Sequence, residues 1–333
     1  MGNEPLVSIL MPTYNRAHLL PNSIGSVLKQ DYTNWELIVW DDGSTDNTPE
    51  VVRSLADGRV TYFQQPNSGK SHALNRALET AEGQYIAFLD DDDQWTERKL
   101  STQVGVLERF RYIDLLFANF ANVNLSTGVE GLCFDQNAIG LRSLSTEEIA
   151  ARVFVIHHGV PEGLLRSNFI NFDTVIVRQK VLRDAGGFNE QLRNSEDLEL
   201  LWRMGLAGVR FGYVDDVLAK RIKYPGSLSS PSTVMYQNHI KCLDLCLSHT
   251  STNHRDDLVP VINDAYHRAW LGMIRQYGLL NDKPNAAKAF IQALRCGHSW
   301  VAYYGIFGAL AGPRASDTLR GLVRRMKRVL QPK

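Results

Sequence analysis

Residues 85–93 read Tyr85-Ile86-Ala87-Phe88-Leu89-Asp90-Asp91-Asp92-Asp93, a short apolar run that delivers four consecutive carboxylates. An apolar run this short, with no amphipathic period, fits a strand covered on both faces, as in a parallel sheet, better than a helix. The acids then cluster at the carboxyl end of that strand, the edge at which open α/β sheets bind ligands. Each close like-charge pair costs roughly 1 kcal/mol in water and about 4 kcal/mol at an effective dielectric of 20, so positive charge is expected beside them. Taken alone, the run also reads as a solvated acidic turn ahead of a helix, with Asp93 as its cap.

The chain on either side supplies the sheet. Residues 6–11 read as a first strand that stops at Pro12, because proline cannot donate to a central ladder. A loop follows at Thr13-Tyr14-Asn15-Arg16, then a helical period over residues 18–30 and a second apolar strand over 35–40. That strand also ends in acids, Asp41-Asp42, and Gly43 permits the tight turn before a helix at 49–55 that Asp46 or Thr48 can cap. Residues 60–64 form a third strand, 66–70 a polar turn and 71–82 a helix leading back to the central strand. Strand and helix in alternation predict a parallel sheet and a nucleotide-binding α/β half.

Downstream, residues 96–111 read as a helix, 113–119 as a strand and 174–178 as another, while 123–152 is polar with few clear elements. Gly186-Gly187-Phe188-Asn189-Glu190 is a turn. It precedes a helix that carries Glu196-Asp197 in its first turn and Leu198, Leu201 and Trp202 on one stripe. Helices are then expected at 235–248, 258–277 and 285–296. Residues 300–311 are apolar and aromatic but too short to span a bilayer. Residues 319–330 alternate apolar positions with Arg320, Arg324, Arg325, Lys327 and Arg328. Two readings of that last segment stand: a basic amphipathic helix on an anionic membrane face, or a terminal helix docked on the protein with its basic side in water.

Composition sets the outer limits. A chain of 333 residues, 44% hydrophobic and 22% charged, can bury a large core and suits one large or two unequal domains, here 1–230 and 231–333. Lys plus Arg and Asp plus Glu number 36 each, so no global basicity points to nucleic acid. Cys133, Cys242, Cys246 and Cys296 are scattered and do not complete a zinc site, which favours a reduced, cytoplasmic chain. The amino terminus enters the first strand with no secretory leader pattern, and no run is long enough for a membrane span.

Together, segments 7–15, 35–48, 67–75 and 85–93 resemble the nucleotide-sugar-binding half of a family 2 glycosyltransferase with the GT-A fold, a Rossmann-like mixed sheet of mainly parallel strands flanked by helices. The resemblance implies that Pro12, Thr13, Tyr14 and Asn15 form the nucleotide loop, with Thr13 and Tyr14 flanking the base. It implies that Asp41 accepts a hydrogen bond from a base imide, which favours a UDP-sugar, and that Lys70 reaches the diphosphate. A charge-assisted bond to that imide is stronger than a neutral one. The resemblance further implies that Asp92 is the position that in such enzymes binds Mn²⁺ or Mg²⁺, with Asp90 in the metal shell and Asp90 and Asp91 supporting the ribose; hard oxygen ligands are what those ions prefer. The Glu196-Asp197 pair resembles the family's acid-acid motif: Asp197 as general base for an inverting transfer, Glu196 holding the acceptor or orienting the site. Residues 220–229 resemble the loop that closes over the diphosphate. Relatives often carry histidine where Tyr224 stands, which leaves Arg221 and Lys223 to neutralise the phosphates. The partners implied are a nucleotide-sugar donor, a glycan or lipid-linked glycan acceptor, and peripheral contact with an anionic membrane surface. An aspartyl phosphatase would want Thr or Val at Gln94, and a sugar-1-phosphate nucleotidyltransferase a Gly-rich loop in place of Pro12-Thr13-Tyr14-Asn15. A non-catalytic sugar-nucleotide or glycan-binding protein on the same scaffold is the remaining alternative.

Overall fold

In the computed structural model, residues 4–55, 57–124, 127–136, 138–223 and 231–296 are described. The strands in chain order are β1 (Val7–Thr13), β2 (Trp35–Asp41), β3 (Val60–Gln64), β4 (Tyr85–Phe88), β5 (Gln94–Trp95), β6 (Leu115–Asn124), β7 (Gly128–Leu132), β8 (Ser145–Ala150), β9 (Val153–His158), β10 (Ile176–Arg178) and β11 (Phe211–Lys223). They form one sheet in the order β3-β2-β1-β4-β10-β6-β11-β9-β8, with β5 on β11 and β7 on β6. The pairings β3-β2, β2-β1, β1-β4 and β6-β11 are parallel, and β10 runs against β4 and β6. The sheet is therefore mixed, with most strands pointing the same way. Every residue of β1 and β4 is buried, as strands covered on both faces require.

Helices at Leu20–Leu28, Thr48–Ser54, Lys70–Thr80 and Lys99–Arg109 follow β1, β2, β3 and β5. The Leu20–Leu28 helix buries Leu20, Ile24 and Val27, and the Lys70–Thr80 helix buries Ala73, Leu74, Ala77 and Leu78, the face that helical spacing selects. Carboxyl ends of β1, β2 and β4 thus open on one edge, between the helices' amino-terminal turns.

Three sequence expectations differ from the structure. β1 does not stop at Pro12 but runs through it, with Pro12 opposite Trp40. Leu10 C=O accepts from Leu89 N–H at 3.1 Å on the β4 side, and Thr13 C=O from Asp42 N–H at 2.9 Å on the β2 side. Alternate residues of a parallel strand address opposite neighbours, so Pro12 faces the β4 side, where β4 has already ended. No ladder bond is lost. Second, the stretch over 123–152 holds β7, β8 and short helices rather than few elements; β8 is a mostly exposed edge strand, Ser-Thr-Glu-Glu-Ile-Ala, whose charge hides it from an apolar pattern while discouraging edge-to-edge pairing. Third, Arg221 and Lys223 lie on β11, not in a loop. Register shifts around Val217 leave Asp215 and Asp216 as an irregularity that breaks the strand's alternation.

The chain falls into two compact units, residues 1–230 with 238–262, and residues 231–237 with 263–333. Helices at Thr233–Thr252, Val259–Leu279 and Lys283–Arg295 match the expected helical stretch, and among the described residues no helix is long and apolar enough to cross a membrane. The segments 300–311 and 319–330, Tyr224 and the rest of the 224–229 turn lie outside the described residues.

Candidate active site

The four acids after β4 alternate. Asp90 and Asp92 are partly exposed, whereas Asp91 and Asp93 are buried; the four residues form a tight turn in which Asp93 N–H donates to Asp90 C=O at 3.2 Å. Asp91 is held by Thr13 Oγ1 at 2.7 Å and Arg16 Nη1 at 2.7 Å, and its backbone carbonyl accepts from Ser23 Oγ at 2.7 Å. Burial raises its pKa to about 6 against the opposing pull of Arg16. The same Arg16 nitrogen lies 2.9 Å from Asp92 Oδ2. Asp93 does not cap a helix: its Oδ1 accepts the Ile222 N–H of β11 at 2.8 Å, and its side chain meets Asp173 in a hydrogen bond. Two carboxylates cannot bond without a proton between them. Burial lifts Asp173 to about 6 and holds Asp93 well above the usual carboxylate range.

Lys70, at the start of its helix, spans the outward side. Its Nζ is 2.7 Å from Asp90 Oδ1 and 3.5 Å from Glu196 Oε1. Burial alone would lower the Lys70 pKa, but Asp90 and Glu196 outweigh it and raise the value, so the ammonium stays charged. Asp197 lies in the field of Lys70, Asp90 and Arg221. Burial raises the pKa of both Glu196 and Asp197, with Lys70 opposing the rise in each. The structure thus brings Asp90, Lys70, Glu196, Asp197 and Arg221 together from four separate segments. Lys223 goes elsewhere, pairing with Glu130 of β7 at 2.8 Å.

Two polar clamps set this geometry. Asp42 accepts from the backbone N–H groups of Ser68 at 2.7 Å and Gly69 at 2.8 Å, which fixes the turn that launches Lys70. Asn75, one helical turn further on, accepts from Phe188 N–H at 2.8 Å and donates to Phe188 C=O at 2.9 Å, tying the Gly186-Gly187 turn to the Lys70 helix. The Glu196–Leu206 helix then starts at Ser195, whose φ of 63° is left-handed, and seats Leu198, Leu201 and Trp202 in the core. Gly43 has φ +87°, and a Cβ there would lie 2.8 Å from the Asn67 backbone nitrogen. Gly43→Ala should therefore lower unfolding stability by about 2–3 kcal/mol, the sum of a left-handed alanine and a backbone clash that no rotamer can relieve. A urea melt within 1 kcal/mol of the parent would show that the turn can move aside.

At the base end, Tyr14 is exposed and Asn15, with φ 53°, is clipped to the next turn: its N–H meets Ser44 Oγ at 2.7 Å and its Oδ1 accepts Thr45 N–H at 2.7 Å. Pro12 and Thr13 are buried. Asp41 is fully buried and already accepts from Ser44 N–H at 2.8 Å and Tyr62 O–H at 2.5 Å. A base reaching Asp41 would share it with, or displace, the Tyr62 hydroxyl. Arg16, Asp42, Tyr62, Asn75 and Asp173 were not singled out as site residues by sequence reasoning. Arg16 and Asp42 left a signal there, the first as the positive charge four acids require and the second as an acid at the end of a strand.

Among the described residues no three His, Cys, Asp or Glu side chains gather as a closed metal site. What the edge offers is two outward carboxylates, Asp90 and Asp92, with hard oxygen donors. That set fits Mg²⁺ or Mn²⁺, which take one or two carboxylates and complete their shell with substrate phosphates and water.

The site is a parallel-sheet edge lined by acids and a lysine, with a second acid pair beside them. The description of glycosyl transferase family 2 matches residues 8–140. Over 228 residues the chain is 32% identical to EpsE of Bacillus subtilis (strain 168), a protein assigned as a glycosyltransferase, covering 66% of this chain and 74% of that one. It is 43% identical over 123 residues to the UDP-Glc:alpha-D-GlcNAc-diphosphoundecaprenol beta-1,3-glucosyltransferase WfgD of Escherichia coli, which takes in 37% of this chain and 48% of WfgD. Several such curated relatives are spanned over less than half of their own length. The mannosyltransferase PcManGT from Pyrobaculum calidifontis, solved in complex with GDP-Man and Mn2+, superposes with a TM-score of 0.56 at 22% identity, over 95% of this chain and 83% of that one. The chain belongs to glycosyl transferase family 2 and has the GT-A fold.

Proposed function

We propose that this glycosyltransferase is metal-dependent and inverting, moves a sugar from a nucleoside-diphosphate donor, UDP-sugar in preference, and delivers it to a hydroxyl of a glycan or lipid-linked glycan. The observation that carries the reading is the convergence of Asp197 and Glu196 on Asp90 and Lys70, an acid pair and a donor-side cluster facing one site. The nucleotide lies along Pro12, Thr13, Tyr14 and Asn15 with its base toward Asp41. Lys70 and Arg221 hold the diphosphate, and Asp92 with Asp90 holds Mn²⁺ or Mg²⁺; a bound divalent ion supplies positive charge that stabilises the departing diphosphate. The acceptor oxygen attacks the anomeric carbon as the bond to the diphosphate breaks, and Asp197 takes the hydroxyl proton. Glu196, buried against Lys70, orients the pair. The UDP-Glc donor and diphosphoundecaprenol acceptor in WfgD's name support UDP and a lipid-linked acceptor, and the Mn2+ in the PcManGT complex supports the metal. We place catalysis in residues 1–230, with 231–333 as a helical extension, on the cytoplasmic side and in peripheral contact with anionic membrane.

Thermal shift with UDP and Mn²⁺ tests the donor side. Ligand at a hundred times its dissociation constant should stabilise the parent by about 2.7 kcal/mol, and Asp92→Ala should abolish the shift. Equal protection of parent and variant would overturn the metal assignment. Failure of every nucleoside diphosphate to protect the parent would overturn the donor reading itself.

A further inference from the structure

We infer that Asp173 is a positioning residue for donor binding: its buried side chain fixes the backbone of Asp90 and the side chain of Asp93, and so decides which acids of the cluster face the donor. This rests on the donor site proposed above. Asp173 sits in the short 3-10 turn Phe172–Thr174, at least eighty residues downstream of the acids it meets, and is 2% exposed. Its Oδ1 accepts the Asp90 N–H at 2.6 Å, and its side chain hydrogen-bonds that of Asp93. Asp93 in turn accepts the Ile222 N–H of β11 at 2.8 Å, one residue beyond Arg221.

The turn itself is anchored on three sides. Asn171 Oδ1 accepts the Asp173 N–H at 3.2 Å, the Asp173 carbonyl accepts Trp95 Nε1–H at 2.8 Å, and the Thr174 carbonyl accepts Gln103 Nε2–H at 2.8 Å. Asp173 therefore joins three pieces that the site needs in register: the Asp90–Asp93 loop, the β5 turn and the end of β11.

Packing alone does not explain an acid here. A carboxyl group buried beside Asp90 and Asp93 adds like-charge repulsion that an apolar residue of similar volume would avoid. What the acid provides is an oxygen that takes the Asp90 amide while the other end of the carboxyl group engages Asp93. With the Asp90 peptide and the Asp93 side chain both fixed, the turn between them, closed by Asp93 N–H donating to Asp90 C=O at 3.2 Å, is fixed too. Asp90 and Asp92 then point outward, and Asp91 and Asp93 inward. Loss of that restraint frees the loop to rotate, and the outward pair no longer presents both carboxylates at once.

The test compares Asp173→Ala with Asp173→Asn, whose amide keeps the size, the acceptor oxygen and a donor toward Asp93. UDP binding in the presence of Mn²⁺ is measured by titration calorimetry, and donor and acceptor KM by steady-state assay. Asp173→Ala should weaken UDP binding and raise donor KM by roughly tenfold or more while acceptor KM stays within about twofold, and Asp173→Asn should recover most of the loss. Equal effects of the two variants, or a parallel rise in donor and acceptor KM, would assign Asp173 to general folding and overturn the inference. If Asp173→Ala does not fold, Asp173→Ser takes its place: a hydroxyl is too short to engage both partners, so the same selective loss is expected, and parental UDP binding in that variant overturns the inference. A parent protein that binds no UDP overturns the donor reading instead, which separates the two failures.

Discussion

Asp197→Asn is expected to reduce the rate of sugar transfer by roughly 10²–10⁴-fold while UDP affinity stays within about threefold of the parent, the range a lost general base accounts for. A general base acts in the transition state, whereas donor affinity depends on the base pocket and the diphosphate contacts. The amide keeps the size of the side chain and some hydrogen bonding, including acceptance of the Leu198 N–H that Asp197 Oδ1 now takes at 2.8 Å, so the helix start should survive. The pH dependence follows from the surroundings. Burial raises the Asp197 pKa and Lys70 opposes the rise, so the net shift is upward. A base must be unprotonated, so activity should fall with acid through a midpoint above the ordinary carboxylate value, and the variant should lose that limb. A variant that transfers sugar at near the parental rate would move the base elsewhere, with Glu196 first in line. A variant that loses donor binding would make Asp197 a helix cap, and the mechanism would need a different base.

How much of this could be read from the sequence depends on the range of the interaction. The strands β1 to β4 and the helices between them follow local rules, so segments 35–40 and 60–64 fall within a residue of β2 and β3. The acids, Lys70 and the Glu196-Asp197 pair were legible because each sits in a short motif at an element's end. Their division of labour was not. Residues 90–93 form a turn rather than a strand, and which of its acids face inward is set by Arg16, Thr13 and Asp173, partners that lie 75 to 83 positions away from the acids they bind. β11 escaped because Asp215 and Asp216 interrupt its pattern, and with β11 unseen, the ion pair between Lys223 and Glu130 could not be anticipated. The positive charge expected beside the acids is present, supplied by Arg16 and Lys70 within the chain itself.

Lys99→Met should make the protein more stable at neutral pH, by up to about 4 kcal/mol, and should flatten its stability profile in alkali. Lys99 opens the Lys99–Arg109 helix, where a lysine ordinarily reaches solvent, yet it is fully buried. Its Nζ has no hydrogen-bond partner among the described residues and sits 4.0 Å from the centre of the Trp95 ring. Burial lowers its pKa from 10.5 to about 7, with Asp173 opposing the fall. That drop corresponds to roughly 4–5 kcal/mol against the charged form, offset in part by the cation–π contact, which is worth about 0.5–2 kcal/mol. The sign follows from proton counting. Between about pH 7 and pH 10.5 the unfolded chain holds a proton on this lysine that the folded chain lacks, so stability rises with pH across the window. Below it both states are protonated and the whole penalty is present. Methionine keeps the length and the contact with Trp95 without an ammonium to desolvate. The gain over the parent should therefore be largest near pH 7 and fade toward pH 10.5, measured as urea midpoints at a series of pH values. A variant no more stable than the parent at pH 7, or a parent whose alkaline slope survives the substitution, would show that the ammonium finds compensation in solution and is not stranded against the indole.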